Sequence, residues 1–301
     1  MHDRRLSLCG GLKSLVLTMG MIRIEHTLFA MPFCLAALLV ASNGRPGWPL
    51  LLWVLVALTS ARAAAMTFNR IVDLPYDAGN VRTRQRHLVV GSLSRRFATG
   101  FLLVSVAVFV LAAWRINDLA LRLSPVALLV VLGYSYTKRF TQLSHFILGL
   151  GLSLAPLGAW VAVLGRLEAA PLPLAAGVIL WVGGFDIIYA CQDADFDRQY
   201  GLHSIPARLG VERALALSRL AHFGSVLCLA GFGVTTGLHA AYFAGVTVAG
   251  ILVVYEHSLV RPDDLTRVNA AFFTMNSIIS LLILAATAVD VYAFPRVAAA
   301  L

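Results

Sequence analysis

The sequence predicts an all-α polytopic membrane protein. Its 301 residues are 59% hydrophobic and only 13% charged, where a soluble domain of this size carries about 25% charged residues. Mean hydropathy is +0.81. The apolar residues run in continuous stretches of about 20, the length that crosses a bilayer as a helix, without the alternation of a β-barrel.

Spans are expected at 27–43, 50–68, 97–114, 118–136, 144–164, 172–191, 215–237, 239–255 and 270–293, which makes nine helices in one domain covering 1–301. Ahead of them MHDRRLSLCGGLKSLVLTMGMIRIEH is basic and mildly apolar. Its apolar core is short and broken by glycine, with no small-residue cleavage site, so it does not read as a signal peptide. Residues 11–24 read as an interfacial helix within this N-terminal segment. Cys9, Cys34, Cys191 and Cys228 lack paired spacing, which argues against disulfides and zinc.

The loops sort by charge. Arg4, Arg5, Lys13 and Arg23 precede the first span. Arg70, Arg82, Arg84, Arg86, Arg95 and Arg96 follow the second, and later even-numbered spans are likewise followed by basic residues. The alternate loops carry Arg45, Arg115 and Arg166. The positive-inside rule then places the N-terminus in the cytoplasm and the C-terminus across a bacterial inner membrane. The net charge of +9 is a topology signal. Neither a nucleic-acid surface nor an obligate protein partner is evident.

Asp73, Asp77, Asp186, Asp193, Asp195 and Asp197 are six of only 15 acidic residues, and they cluster at the cytoplasmic ends of two spans. Spacing of four places Asp73 with Asp77, and Asp193 with Asp197, on one helix face. Like charges repel there, and the bilayer adds to the cost. Either loop arginines or a cation must compensate. Two matching pairs favour a cation, and carboxylates without His or Cys select a hard ion such as Mg²⁺, which binds one or two carboxylates and shares phosphate oxygens. Arg82, Arg86, Lys138 and Arg139 suit the phosphates. The combination points to ionisation of an allylic diphosphate, with metal and cations stabilising the departing pyrophosphate.

Asn69-x-x-x-Asp73-x-x-x-Asp77 and Tyr189-x-x-x-Asp193-x-x-x-Asp197 resemble the two signature motifs of the UbiA superfamily of membrane aromatic prenyltransferases. RTRQR after the first motif, YSYTKRFTQLSHF at 134–146 and GLHSIPARLG at 201–210 are similar to that family too. IRIEHTLFAMPF at 22–33, GFDIIYACQDADFD at 184–197 and YEHSLV at 255–260 resemble its bacterial 4-hydroxybenzoate polyprenyltransferase-like branch, which includes enzymes acting on 1,4-dihydroxy-6-naphthoate. The resemblance implies a helical ring around a central cavity, capped on the cytoplasmic side by the loops 69–96 and 193–214. It also implies Mg²⁺ held by Asp73, Asp77, Asp193 and Asp197, with Asp73 and Asp193 catalytic, and polyprenyl transfer onto a hydroxylated aromatic carboxylate. Two positions depart from the pattern: Pro75, which tends to break a helix and unsettles the placement of Asp77, and His87, where the family commonly has proline.

Other residues have assigned roles and alternatives. Arg62 lies inside a span, seven residues before Asn69. It is expected to face the cavity and pair with the acceptor's carboxylate, or else with Asp186. Asn69 ligates metal or phosphate, or makes a helix-end contact. Lys138 and Arg139 bind diphosphate or anchor head groups, and Arg23 is open to either. Tyr189 packs in the cavity wall, while Asp195 points away. His26, His145, His203 and His257 read as isolated, hydrogen-bonded residues near helix ends. Haem, chlorophyll or phospholipid precursors remain alternative acceptors. A cation transporter is the non-enzymatic alternative, disfavoured because the acids sit at helix ends rather than along a pore.

Overall fold

The structure, a computed structural model, describes residues 17–22 and 27–294. Among these residues no strand forms. The long helices are α1 (Thr27–Ala41), α2 (Trp48–Val72), α4 (Arg95–Ile116), α5 (Asp118–Thr137), α6 (Ser144–Leu164), α7 (Leu172–Ala190), α10 (Val211–Thr235), α11 (Ala240–Ser258) and α12 (Asn276–Ala293). Short helices α3 (Leu74–Gly79), α8 (Ala194–Gln199) and α9 (Ile205–Leu209) lie in the two long loops. Among the described residues, eight helices are long and apolar enough to span a bilayer. The first expected span is shorter, with 15 residues in α1. Of the interfacial helix expected over 11–24, residues 17–22 are helical and the remainder lies outside the described residues.

Local chemistry sets the ends. Ser94 opens α4 by accepting from the Phe97 N–H, an ordinary N-cap. Asn117 opens α5 by accepting from Ala120 N–H, and its amide donates to Val161 O at 2.9 Å, which ties α5 to the end of α6. Gly165 closes α6 at φ 64°, where a side chain would be strained.

Both acidic motifs sit on helix breaks. Asp73 ends α2 and stands at the N-cap position of the six-residue α3, with Pro75 in its first turn. Asp193 closes a 3₁₀ turn, Cys191–Asp193, after α7 and stands at the N-cap position of the six-residue α8. The acids of each motif therefore do not share one continuous helix, as their spacing suggests. The break belongs to both motifs and is not a product of Pro75, which occupies a helix position that needs no N–H donor. The Asp77 N–H still reaches Asp73 O at 2.9 Å.

The long helices form a ring in which α2 packs on α4 and α5, α5 on α6, α6 on α7, α7 on α10, α10 on α11 and α11 on α12. The apolar α1 packs on α6 and α12, burying Phe33, Cys34, Ala37 and Leu38. Outward-facing Leu103, Leu129, Val234 and Val254 are exposed, as a lipid-facing surface requires. The last helix is preceded by a π turn, Ala270–Met275. Asn276 covers the carbonyls that this wider turn releases, donating from Nδ2 to Phe272 O at 2.9 Å and Ala271 O at 3.2 Å. Phe272 is thereby set against Tyr189, with ring centroids 4.2 Å apart.

Helices α6 and α7 approach closely at Gly149, where a Cβ would stand 2.5 Å from the Ile179 carbonyl oxygen. Small residues permit such contacts between spans. Gly149→Val is therefore expected to destabilise the protein by about 1–3 kcal/mol, seen as a lower melting temperature in detergent; an unchanged value would contradict the packing. Pro75→Ala is expected to cost less than about 1 kcal/mol and to keep activity. A severe loss would show that the ring of Pro75 holds Asp77 in place.

Candidate active site

The two helix breaks face each other across a cavity of about 280 Å³ between α2, α5, α6 and α7, lined by Asn69, Asp73, Asp77, Arg82, Arg86, Lys138, Tyr189, Asp193 and Asp197. Residues from both long loops, among them Asn80, Phe196 and Leu202, complete its wall. The α5–α6 turn is tied to the second loop by its backbone, where Lys138 O accepts from His203 N–H at 2.7 Å.

Three of the four aspartates are ion-paired. Asp73, 2% exposed, accepts from Lys138 Nζ at 2.8 Å and from Asn69 Nδ2 at 3.0 Å, both at Oδ2. Arg86 Nη1 lies 2.6 Å from each oxygen of Asp77. Arg82 pairs with Asp193, its Nε at 3.1 Å from Oδ1, and Asn80 Nδ2 donates to the same oxygen at 3.0 Å. Arg82 also donates to the Tyr189 hydroxyl at 2.9 Å. Burial acts to lower the pKa of Arg82, but the hydrogen bond and charge of Asp193, with Tyr189 and Asp77 adding, hold it above its ordinary value. Asp197 shares the cavity wall with Ser204, whose hydroxyl caps α9.

Among the described residues, no three His, Cys, Asp or Glu side chains converge as a direct metal site. The donor set nevertheless suits a hard cation, because it consists of carboxylate and carboxamide oxygens. Asp73 Oδ1 is buried and accepts no hydrogen bond, with Arg139 Nη2 at 4.0 Å.

A second, apolar cavity of about 360 Å³ lies deeper in the bundle, between α1, α2, α4, α5 and α6. It shares Arg62, Met66, Tyr134, Leu148 and Leu152 with the polar cavity, so Arg62 stands at their junction.

The structure thus gathers most of the residues expected from sequence into one place. Arg139 is an exception and is not part of the cavity lining. It donates to Val72 O at 2.9 Å and lies over the rings of Tyr76 and Tyr136, bracing the end of α2. Asp195 is exposed and pairs with Arg198 at 2.8 Å. Arg23 and His26 lie outside the described residues.

Two of the supposedly isolated histidines are paired. His257 lies 3.0 Å from His222. His145, a cavity residue, bonds Asp186 at 2.7 Å from Nδ1 to Oδ2. Sequence reasoning also passed over Asn80. A signal for His145 existed: it follows Lys138 by seven residues, as Asp186 precedes Asp193 by seven.

Residues 30–278 match the model of the UbiA prenyltransferase family. A 4-hydroxybenzoate octaprenyltransferase of Vibrio parahaemolyticus is 30% identical over 241 residues, covering 80% of this chain and 84% of that protein. Another, of Methylobacillus flagellatus, is 31% identical over 235 residues, covering 77% and 79%. The apo structure of a UbiA homolog from Aeropyrum pernix K1 shares the fold with a TM-score of 0.81 at 33% identity, covering 89% of this chain and 98% of that one. A UbiA homolog from Archaeoglobus fulgidus bound to DMAPP and Mg²⁺ has the same fold, with a TM-score of 0.69 at 19% identity and 91% and 99% coverage. This chain is accordingly a multi-pass membrane enzyme that belongs to the UbiA prenyltransferase family.

Proposed function

We propose that the enzyme transfers a polyprenyl chain from polyprenyl diphosphate to a hydroxylated aromatic carboxylate, 4-hydroxybenzoate or 1,4-dihydroxy-6-naphthoate, in quinone biosynthesis. The reaction is Mg²⁺-dependent and takes place at the cytoplasmic face of the inner membrane, with the N-terminus in the cytoplasm. The observation that carries this reading is the junction of two cavities, one charged and one apolar. An amphipathic donor fits that pair, its diphosphate at the ionic end and its tail at the other. The relatives named 4-hydroxybenzoate octaprenyltransferase support the acceptor class.

Charge supports the metal. Five carboxylates (Asp73, Asp77, Asp186, Asp193, Asp197) and four basic side chains (Arg62, Arg82, Arg86, Lys138) line the polar cavity. A bare diphosphate would meet a net negative wall, whereas a metal–diphosphate complex does not. Asp73, Asp77, Asp193 and Asp197 would hold Mg²⁺, which when bound stabilises the charge that develops on the leaving pyrophosphate. Arg82, Arg86 and Lys138 supply hydrogen bonds to phosphate oxygens by exchanging their aspartate partners for the ligand. Asn69 orients Asp73. Arg62, at the junction, takes the acceptor's carboxylate. The apolar walls exclude water, so the allylic cation meets the ring carbon beside a phenolic hydroxyl rather than a water molecule.

Asp73→Ala and Asp193→Ala are each expected to lower kcat at least about 100-fold in membranes that retain folded protein, and EDTA is expected to stop turnover. Transfer that persists under both treatments would sink the metal–diphosphate reading. Arg62→Leu is expected to raise the acceptor KM roughly 10- to 100-fold and leave the donor KM nearly unchanged; equal effects on both would reassign Arg62. Parallel assays with the two acceptors identify the substrate.

A further inference from the structure

One pair in the cavity takes no part in the ionic clamp. His145 Nδ1 and Asp186 Oδ2 are 2.7 Å apart, with the histidine side chain 5% exposed and the aspartate 25%. The backbone N–H of Ile205 donates to His145 Nε2 at 3.4 Å. A ring nitrogen that accepts a hydrogen bond carries the lone pair, so Nδ1 carries the hydrogen and donates it to Asp186. The imidazole is thus a neutral donor locked into the wall. It orients the carboxylate without cancelling its charge, and Oδ1 is the oxygen available to a ligand.

The pair also stands at the right depth. Asp186 precedes Asp193 by seven residues and Arg62 precedes Asn69 by seven, so each lies roughly 10 Å deeper than its motif along a helix. That is the level of the acceptor ring if Arg62 holds the carboxylate.

We propose that Asp186 is the base that takes the acceptor's hydroxyl proton, with His145 as its positioning residue; this rests on the prenyl-transfer reading above. As the C1–O bond of the prenyl diphosphate breaks, its electron pair leaves with pyrophosphate. The hydroxyl O–H bond breaks and its proton passes to Asp186 Oδ1. The electron pair released on oxygen feeds through the ring to the neighbouring carbon, which forms the new C–C bond to C1. The dienone that results loses the proton of that ring carbon to the departing pyrophosphate, and Asp186 returns its own proton to the oxygen. Without a base, positive charge accumulates on the hydroxyl oxygen during attack. A carboxylate placed to relieve it is worth about 10²- to 10⁴-fold in rate.

The test uses the full-length enzyme in membranes. Asp186→Asn is expected to lower kcat for the phenolic acceptor at least about 100-fold while leaving the prenyl diphosphate KM unchanged. The acceptor's O-methyl ether has no proton to give, and it is expected to react at one slow rate in wild type and Asp186→Asn alike. His145→Ala is expected to lose most of the rate. His145→Asn, whose amide N–H replaces the Nδ1 donor, is expected to recover it. Wild-type rates in Asp186→Asn, or an equal loss on phenol and ether, would overturn the assignment. A wild-type enzyme that prenylates neither acceptor would instead overturn the reaction on which it rests.

Discussion

Carboxylates at the edge of a membrane must be neutralised where they stand, and the architecture of this protein follows from that requirement. A single uncompensated charge buried there costs about 3–5 kcal/mol. Asp73, Asp77 and Asp193 are accordingly held by Lys138, Arg86 and Arg82. Those cations come from different parts of the chain: the loop after α3 supplies two, and the α5–α6 turn the third. Neutralising the acids therefore ties the first long loop to the start of the second beside the cavity that both help to line. In the proposed reaction the same cations meet the phosphate oxygens, so one set of side chains would serve both folding and binding.

Most of the bundle was legible in the sequence because span length and loop charge are local properties. The ends of α5, α6 and α7 lie within a residue or two of expectation. The first span is shorter than expected, because α1 is 15 residues long and inside the bundle; the last keeps its expected bounds, 270–293, but opens with a π turn that hydropathy cannot register. At the site, the motifs gave the four aspartates but not the helix breaks beneath them. Spacing of four implies one face of one helix, and both motifs bend at their first acid instead. The His145–Asp186 pair joins residues 41 positions apart and could be found only through the packing of α6 on α7. Arg139 divides its contacts, with Nη2 at 4.0 Å from Asp73 Oδ1. Its proximity in sequence to Lys138 suggested a shared role, and its guanidinium also turns to the α2 carbonyl end and two tyrosine rings.

The two cavities divide the work by dielectric. Arg62, Met66 and Tyr134 mark the boundary, and there a charged head and an apolar tail can each meet their own solvent. Aromatic side chains crowd the side opposite α5: Phe29, Phe185 and Phe272 lie with ring centroids 5.1–5.6 Å apart. Phe272 meets both other rings edge to face, contacts that make that wall stiff.

The π turn at Ala270–Met275 has a consequence for how the last span reads as a helix. A π turn is an α-helix with one residue inserted, and one residue advances the helical phase by about 100°. Even so, buried residues continue through the turn, with Val268, Phe272, Asn276, Ile279 and Ile283 all inside. Phe272 joins Ile279 and Ile283 in the main core and also lies against Tyr189. Asn276 sits at the seam and satisfies the carbonyls that the insertion frees. Because Phe272 lies within this turn and its ring backs Tyr189, over which Arg82 is stacked, the aromatic support of Arg82 depends on the local width of a helix from the far end of the chain.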